Sequence, residues 1–444
     1  MNPQTSQPLS PYRIRDKTLG VPELIAIALG GMIGGGIFTI LGISVSMVGA
    51  YAPLAIGIGG IIAAMAAYSY IKLGVLFKDE GATYAFFKKT YPTSPLAASF
   101  IGWWVIFGYI STLALYAYTF ASYALSSTSM ADDDWIRKGV AGCVILLFTL
   151  VNVWSVKGMG KLEDLMVYTK LIILVVISFV LINNSSTSLP VLLSNNGSFD
   201  PLAIIIAASI TFVAYEGFQL VINATNEMEE PERNIPRAIY TAIFLATAIY
   251  VVISLGAILA IPFNDLIENK EYALAAGASH VLGHWGTDLV IAGALLATSS
   301  AISGTLFGAS RQMAVIAEDG YFPALLAHRS HHIPRNAIIA MSLFAFLLIL
   351  SGNLRQILEF GSITFLLVSL LMAVANFKKR ESTDSSTIIT LLTIAGLTIG
   401  TFCILYFEAR HQPEQLYFIL TIYALLTLAA WVYATNRKKR SGII

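Results

Sequence analysis

From residue 21 onward the chain alternates long apolar runs with short polar or turn-forming breaks. The runs fall at 21–47, 52–76, 98–125, 136–156, 164–183, 201–225, 236–261, 286–316, 335–352, 354–376, 386–407 and 413–436. Each comes close to the roughly 20 residues that a helix needs to cross the hydrocarbon layer of a bilayer. Barrel strands would instead alternate in polarity over about ten residues. Hydrocarbon offers no water to backbone N–H and C=O groups, so helices are the form such continuous runs take. The pattern predicts an all-α integral membrane protein with about twelve transmembrane helices.

Composition narrows the class. Hydrophobic residues make up 56% of the 444 and charged residues 12%, about half the charged share of a soluble domain. Apolar material on this scale cannot be hidden in cores under a wettable surface. A soluble enzyme and a disordered chain are both excluded. The net charge of +1 carries no bulk attraction for nucleic acid. Cys143 and Cys403 both sit in apolar runs, which rules out a disulfide framework and a zinc-finger pattern. The first twenty residues, ending Tyr12-Arg13-Ile14-Arg15-Asp16-Lys17 and then the start of the first run, show no short apolar core before a small-residue cleavage site, so that run is expected to be retained.

Charge placement sets the orientation. With the N-terminus in the cytoplasm, 21 of the 27 Lys and Arg residues fall in cytoplasmic segments. Five fall outside (Arg137, Lys138, Lys270, Arg355 and Arg410), and Lys170 lies within a span. The positive-inside bias predicts a multi-pass protein of the cell (inner) membrane with both termini cytoplasmic. Arg137 and Lys138 run against the bias beside the acidic Asp132-Asp133-Asp134. Short sequons at Asn183 and Asn196 fall in an outside loop and establish nothing about the host.

Two runs carry helix-weakening signals. The first contains Gly30-Gly31-Met32-Ile33-Gly34-Gly35-Gly36-Ile37-Phe38. Each glycine costs a helix about 1 kcal/mol against Ala and lets the backbone leave the helical region. Close helix packing through GxxxG pairs reads equally well from these glycines alone. The sixth run contains Thr211-Phe212-Val213-Ala214-Tyr215-Glu216-Gly217-Phe218, again with a mid-span glycine, beside an ionisable residue. The two runs open two sets of five spans, the spacing of an inverted-repeat transporter with its site at the midplane. A broken helix offers free N–H groups from one half and free C=O groups from the other. Such a pair suits a zwitterionic amino acid or a related amine.

Two ionisable residues lie deep in apolar runs. Lys170 is about seven residues into span 5, where a charge costs roughly 2.5–3.5 kcal/mol even on the lenient insertion scale. It reads either as a proton carrier that loads and releases as access alternates, or as a structural lysine held by carbonyls. Glu216 reads in three ways: recognition of a cationic group on the substrate, proton carriage, or a structural partner for a nearby donor. Tyr109, mid-span 3, faces the site or packs. Thr298-Ser299-Ser300 in span 8 brings hydroxyls suited to an ion site or to helix packing.

These residues resemble a known family. Gly31-Met32-Ile33-Gly34-Gly35-Gly36-Ile37-Phe38 resembles the first-helix signature of the amino acid–polyamine–organocation superfamily of permeases. Asn226-Glu227-Met228-Glu229-Glu230-Pro231-Glu232-Arg233-Asn234-Ile235-Pro236-Arg237-Ala238-Ile239 is similar to its loop after span 6. Gly308-Ala309-Ser310-Arg311 and Ala317-Glu318-Asp319-Gly320-Tyr321-Phe322-Pro323 are similar to the end of its span 8. The resemblance covers spans 1–10.

It implies the leucine-transporter fold, a 5+5 inverted repeat with discontinuous helices 1 and 6. The implied layout is a cytoplasmic tail 1–20, repeats at 21–183 and 201–376, two peripheral helices at 386–436 and a basic tail 437–444. It implies substrate contacts at Ile33, Gly34, Gly35 and Gly36, and at Val213, Ala214, Glu216 and Gly217, with Tyr109 lining the site. Lys170 falls where proton-coupled members carry a lysine, which favours protons over sodium. Two departures stand out. Glu216 replaces an apolar residue, which leaves organic-cation and polyamine substrates open. Val213 stands where several members have a gating aromatic, and Phe212 is the candidate gate.

The expected function is amino acid import by alternating access, by proton symport, with exchange of amino acids, amines or polyamines as the alternative. An intramembrane enzyme would need HExxH, GxSxG or paired carboxylates, and the sequence offers no such motif. His328, His331 and His332 read as a solvated cluster rather than a metal site. A channel would show a charge ring or carbonyl filter. Neither cofactor nor metal is expected. The expected partners are the substrate, protons and the bilayer.

Overall fold

The computed structural model describes residues 19–131, 133–154, 157–195, 199–268, 272–330 and 333–440, with the backbone alone for 157–164, 195, 279–280, 282 and 437–440. Among these residues the regular secondary structure is all helical, joined by turns and loops with isolated single-residue bridges. The first run divides into α1 (Val21–Met32) and α2 (Gly35–Val48), followed by α3 (Ala52–Phe77), α4 (Ala82–Thr90) and α5 (Pro95–Leu125). Next come α6 (Asp134–Trp154), α7 (Lys157–Asn183) and α8 (Leu189–Asn195). The sixth run divides into α9 (Pro201–Thr211), a 3₁₀ turn (Phe212–Tyr215) and α10 (Leu220–Asn223). The remainder is α11 (Pro231–Ala260), α12 (Phe263–Glu268), α13 (Ala273–Glu318), α14 (Arg335–Ser351), α15 (Leu354–Lys378), α16 (Thr387–His411) and α17 (Pro413–Arg440).

Local sequence explains the ends. Proline occupies the first turn of α1, α3, α5, α9 and α11, where its missing N–H is not needed. Ser94, Asp200, Asn353 and Ser386 cap α5, α9, α15 and α16 by accepting from first-turn N–H groups. Three short helices, α4, α8 and α12, lie outside the apolar runs and connect them. The first part of α13 lies before the eighth run, and Gly283 (φ +65°) interrupts the helix between the two.

Among the described residues, ten helical segments are long and apolar enough to cross a membrane, with α2 and α3 counted together, and α1 and α14 are shorter apolar helices. Large apolar side chains face outward all round, among them Leu146, Phe179, Phe244 and Phe402. A surface of this kind suits lipid, not water. In an 18-residue stretch of Pro201–Asn223, 94% of residues are buried, against 17% in one of Pro413–Asn436, so the broken sixth run is central and α17 peripheral.

Candidate functional site

The two interruptions meet at the centre. Gly217 has φ +125°, and a Cβ there would lie 2.5 Å from the carbonyl carbon of Gly31. Only glycine meets both the dihedral and the contact. At Gly34 a Cβ would lie 2.5 Å from Ala301 Cβ and 2.9 Å from Tyr116. Those at Gly35 and Gly36 would press on Thr119 and Ala214. The glycines therefore serve both break and close packing, the two readings their sequence left open.

A helix that stops leaves its last carbonyls without intrahelical donors. In α1 each finds one elsewhere. Leu29 O accepts from Ile33 N–H (2.9 Å) and Met32 O from Gly34 N–H (3.0 Å). Lys170 Nζ, on α7, donates to Ile33 O (2.7 Å) and Gly30 O (3.2 Å) and contacts Ser300 Oγ on α13 (3.3 Å). Tyr116 on α5 donates to Gly31 O (2.9 Å). The Tyr250 hydroxyl, on α11, lies 2.8 Å from Met32 O and 3.1 Å from Ala214 O, touching both broken helices. Lys170 is fully buried. The carbonyl end of the first break is thus already occupied by side chains of the protein, where the sequence suggested free acceptors.

The N–H end differs. Gly35 and Gly36 open α2, and no side chain caps it. With the helix dipole, these N–H groups favour an anionic guest.

In the sixth run, Phe212, Val213 and Ala214 are buried in the 3₁₀ turn and Glu216 is extended. Glu216 Oε2 accepts from Gln219 Nε2. Its Oε1 is buried and has no hydrogen-bond partner among the described residues. Tyr70, Tyr109 and Tyr116 lie within electrostatic reach of this carboxyl group. Tyr109 also packs edge-on against Phe365 at 5.4 Å between ring centroids.

The structure thus brings Ile33, Gly34, Gly36, Lys170, Ala214 and Gly217 together, with Glu216 and Tyr109 at one side. Of the span 8 hydroxyls, Ser300 meets Lys170, while Thr298 donates to Ala294 O (2.7 Å) of its own helix. Tyr116, Tyr250 and Gln219 went unread in the sequence. Tyr116 carried a signal, two helical turns after Tyr109 on the same face. Two further ionisable groups are fully buried, Glu359 and Glu408. Neither was singled out in the sequence; Glu359 lies on α15 and Glu408 on α16, which pack together. His331 and His332 lie outside the described residues, as does Asn196. Among the described residues no His, Cys, Asp and Glu group has metal-binding geometry.

Residues 19–434 match the amino acid permease family model. The inner membrane transport protein YbaT of Escherichia coli (strain K12) is 28% identical over 86% of this chain and 90% of its own length. The methylthioribose transporter of Bacillus subtilis is 25% identical over 94% of this chain and 93% of its own. The large neutral amino acids transporter small subunit 2 of Oryctolagus cuniculus is 27% identical over 89% of this chain and 76% of its own. The chain belongs to the amino acid permease family, within the amino acid–polyamine–organocation superfamily. It is a multi-pass membrane transporter and not an enzyme.

Proposed function

We propose that this permease imports amino acids by alternating access, driven by the inward proton gradient. One observation carries the reading: the two broken helices cross at the centre, and a single hydroxyl, that of Tyr250, touches carbonyls of both. An ammonium group fits the acceptors Met32 O and Ala214 O, while a carboxylate fits the first N–H groups of α2 at Gly35 and Gly36. The rabbit relative is named for large neutral amino acids, which supports a zwitterion as guest. Ile33, Gly34, Val213, Gly217 and Tyr109 complete the surroundings, and Phe212 is the proposed gate.

Lys170 is the proposed proton carrier. Protonated, it holds Gly30 O and Ile33 O; neutral, it offers fewer donors and loosens the end of α1. The proposed frame has twelve spans, with inverted repeats at 21–183 and 201–376, α16 and α17 peripheral, and both termini cytoplasmic in the cell membrane. The orphaned Glu216 oxygen favours a second reading, exchange of cationic amino acids or amines.

The test is a competition panel in proteoliposomes. Labelled amino acid uptake is challenged with neutral, acidic and basic amino acids and polyamines at two external pH values. Saturable uptake that rises with an inward proton gradient in sodium-free buffer is expected. Uptake that requires sodium and ignores pH would overturn proton coupling. Flux that never saturates would overturn alternating access.

A further inference from the structure

Away from the crossing of the breaks, Glu359 of α15 and Glu408 of α16 are fully buried. Arg355, one turn before Glu359, donates through Nε to Glu359 Oε1 at 2.6 Å. With its amide turned so that oxygen faces the guanidinium, Gln412 accepts from the other two nitrogens of Arg355 at 2.6 and 2.9 Å. Each guanidinium nitrogen thereby has a partner. Glu359 Oε2 and both oxygens of Glu408 meet no donor among the described residues. The two carboxyl groups lie within hydrogen-bonding reach of each other.

Two carboxylates facing one guanidinium leave one negative charge out of water. An unpaired buried charge is costly enough that such groups neutralise instead. Among the described residues, Arg355 is the cation that acts on both carboxyl groups. Arg410 and His411 at the end of α16 are exposed, as are Asp200 at the head of α9 and Glu414 at the start of α17. Asp200 is engaged in capping α9. α5 carries no charged residue, and the one in α3, Lys72, bonds Asp384 O beyond the other end of α15 and α16. Of the nearby tyrosines, Tyr423 shares a hydrogen bond with Thr364 and Tyr406 lines a cavity.

We propose that Glu359 and Glu408 form a proton-binding site apart from Lys170, in which a single proton joins α15 to α16. Glu408 O–H donates to Glu359 Oε2. Release breaks that O–H bond, delivers one proton to water and leaves two carboxylates side by side. A cavity of about 420 Å³, lined by Asp200, Arg355, Tyr406 and His411 among others, gives water its approach on the face that the basic-residue count puts outside. The consequence reaches the centre through α15. Ser362 donates to Ile210 O at 2.6 Å, and a Cβ at Gly361 would lie 3.2 Å from Val213. A shift of α15 is therefore felt at the sixth-run break.

The test uses the full chain in lipid and sodium-free buffer, with infrared spectroscopy across pH. A protonated-carboxyl band at neutral pH should be lost on raising pH, and should be missing in both Glu408→Gln and Glu359→Gln. Either variant balances Arg355 without a proton. Glu216→Gln should retain the band. In parallel, one proton held only by the folded protein lowers the folded-to-unfolded ratio by up to about tenfold per pH unit as pH rises. Glu408→Gln, whose amide still donates to Glu359, should lose that slope. A band and slope that persist in both variants would overturn the proposal, as would a wild-type protein with no titrating band. So would sodium replacing the proton at constant pH. If Glu408→Gln does not fold, Glu359→Gln and the wild-type titration decide alone.

Discussion

At the first break, every carbonyl of the last turn of α1 meets a donor, and the side-chain donors come from α5, α7 and α11. At the second, Glu216 is held by Gln219, three residues along its own segment, and keeps one buried oxygen without a donor. The difference separates two jobs. A break whose hydrogen bonds come from other helices changes when those helices move, so it suits coupling. A break that carries its own spare acceptor suits recognition, because a ligand can satisfy what the protein leaves open.

Lys170→Ala should have the largest effect. It strips donors from Gly30 O and Ile33 O, and two buried unsatisfied carbonyls at about 1–3 kcal/mol each shift the competent state by about 30-fold or more. Proton-driven uptake should fall to background in proteoliposomes, while substrate binding to the solubilised protein falls far less. Equal loss of both would erase the distinction, making Lys170 part of the recognition site.

Glu216→Gln should act more narrowly. The amide is nearly isosteric but cannot balance a cation. Competition by basic amino acids and amines should weaken by about tenfold, or about 1.4 kcal/mol, with neutral amino acids changed by less than about threefold. Equal weakening of all competitors would leave Glu216 as a structural partner of Gln219.

Much of this contrast was legible in the sequence, and the reason it stopped is physical. Glycine density marked both breaks because conformational freedom leaves a compositional trace, and Lys170 and Glu216 stood out because charge in an apolar run is costly. Gly217 was legible as a break but not as a contact with Gly31, since that distance depends on how two helices cross. Tyr116 and Tyr250 were hidden because a tyrosine in an apolar run carries no sign of where its hydroxyl points. Glu359 and Glu408 were passed over because burial near a run's end depends on the neighbouring helix, which the sequence does not show.

The smallest expected effect has the most informative sign. The Tyr250 hydroxyl has one proton and two acceptors, Met32 O at 2.8 Å and Ala214 O at 3.1 Å. It therefore satisfies one carbonyl at a time. A substrate ammonium brings three donors and can serve both. Tyr250→Phe removes a hydrogen bond worth about 1 kcal/mol. If the substrate displaces the hydroxyl, that loss falls on the unliganded protein alone, and apparent affinity should rise by about fivefold. If the hydroxyl stays in the complex, affinity should instead hold or fall. Tyr116→Phe is the control, because Tyr116 donates to Gly31 O, a carbonyl of the first break. Binding measured on both variants decides the matter. A gain confined to Tyr250→Phe makes the two breaks one amine site, with the tyrosine as its stand-in. A loss in both variants keeps the carbonyl end of α1 a scaffold, and recognition then rests on the second break and the N–H groups of α2.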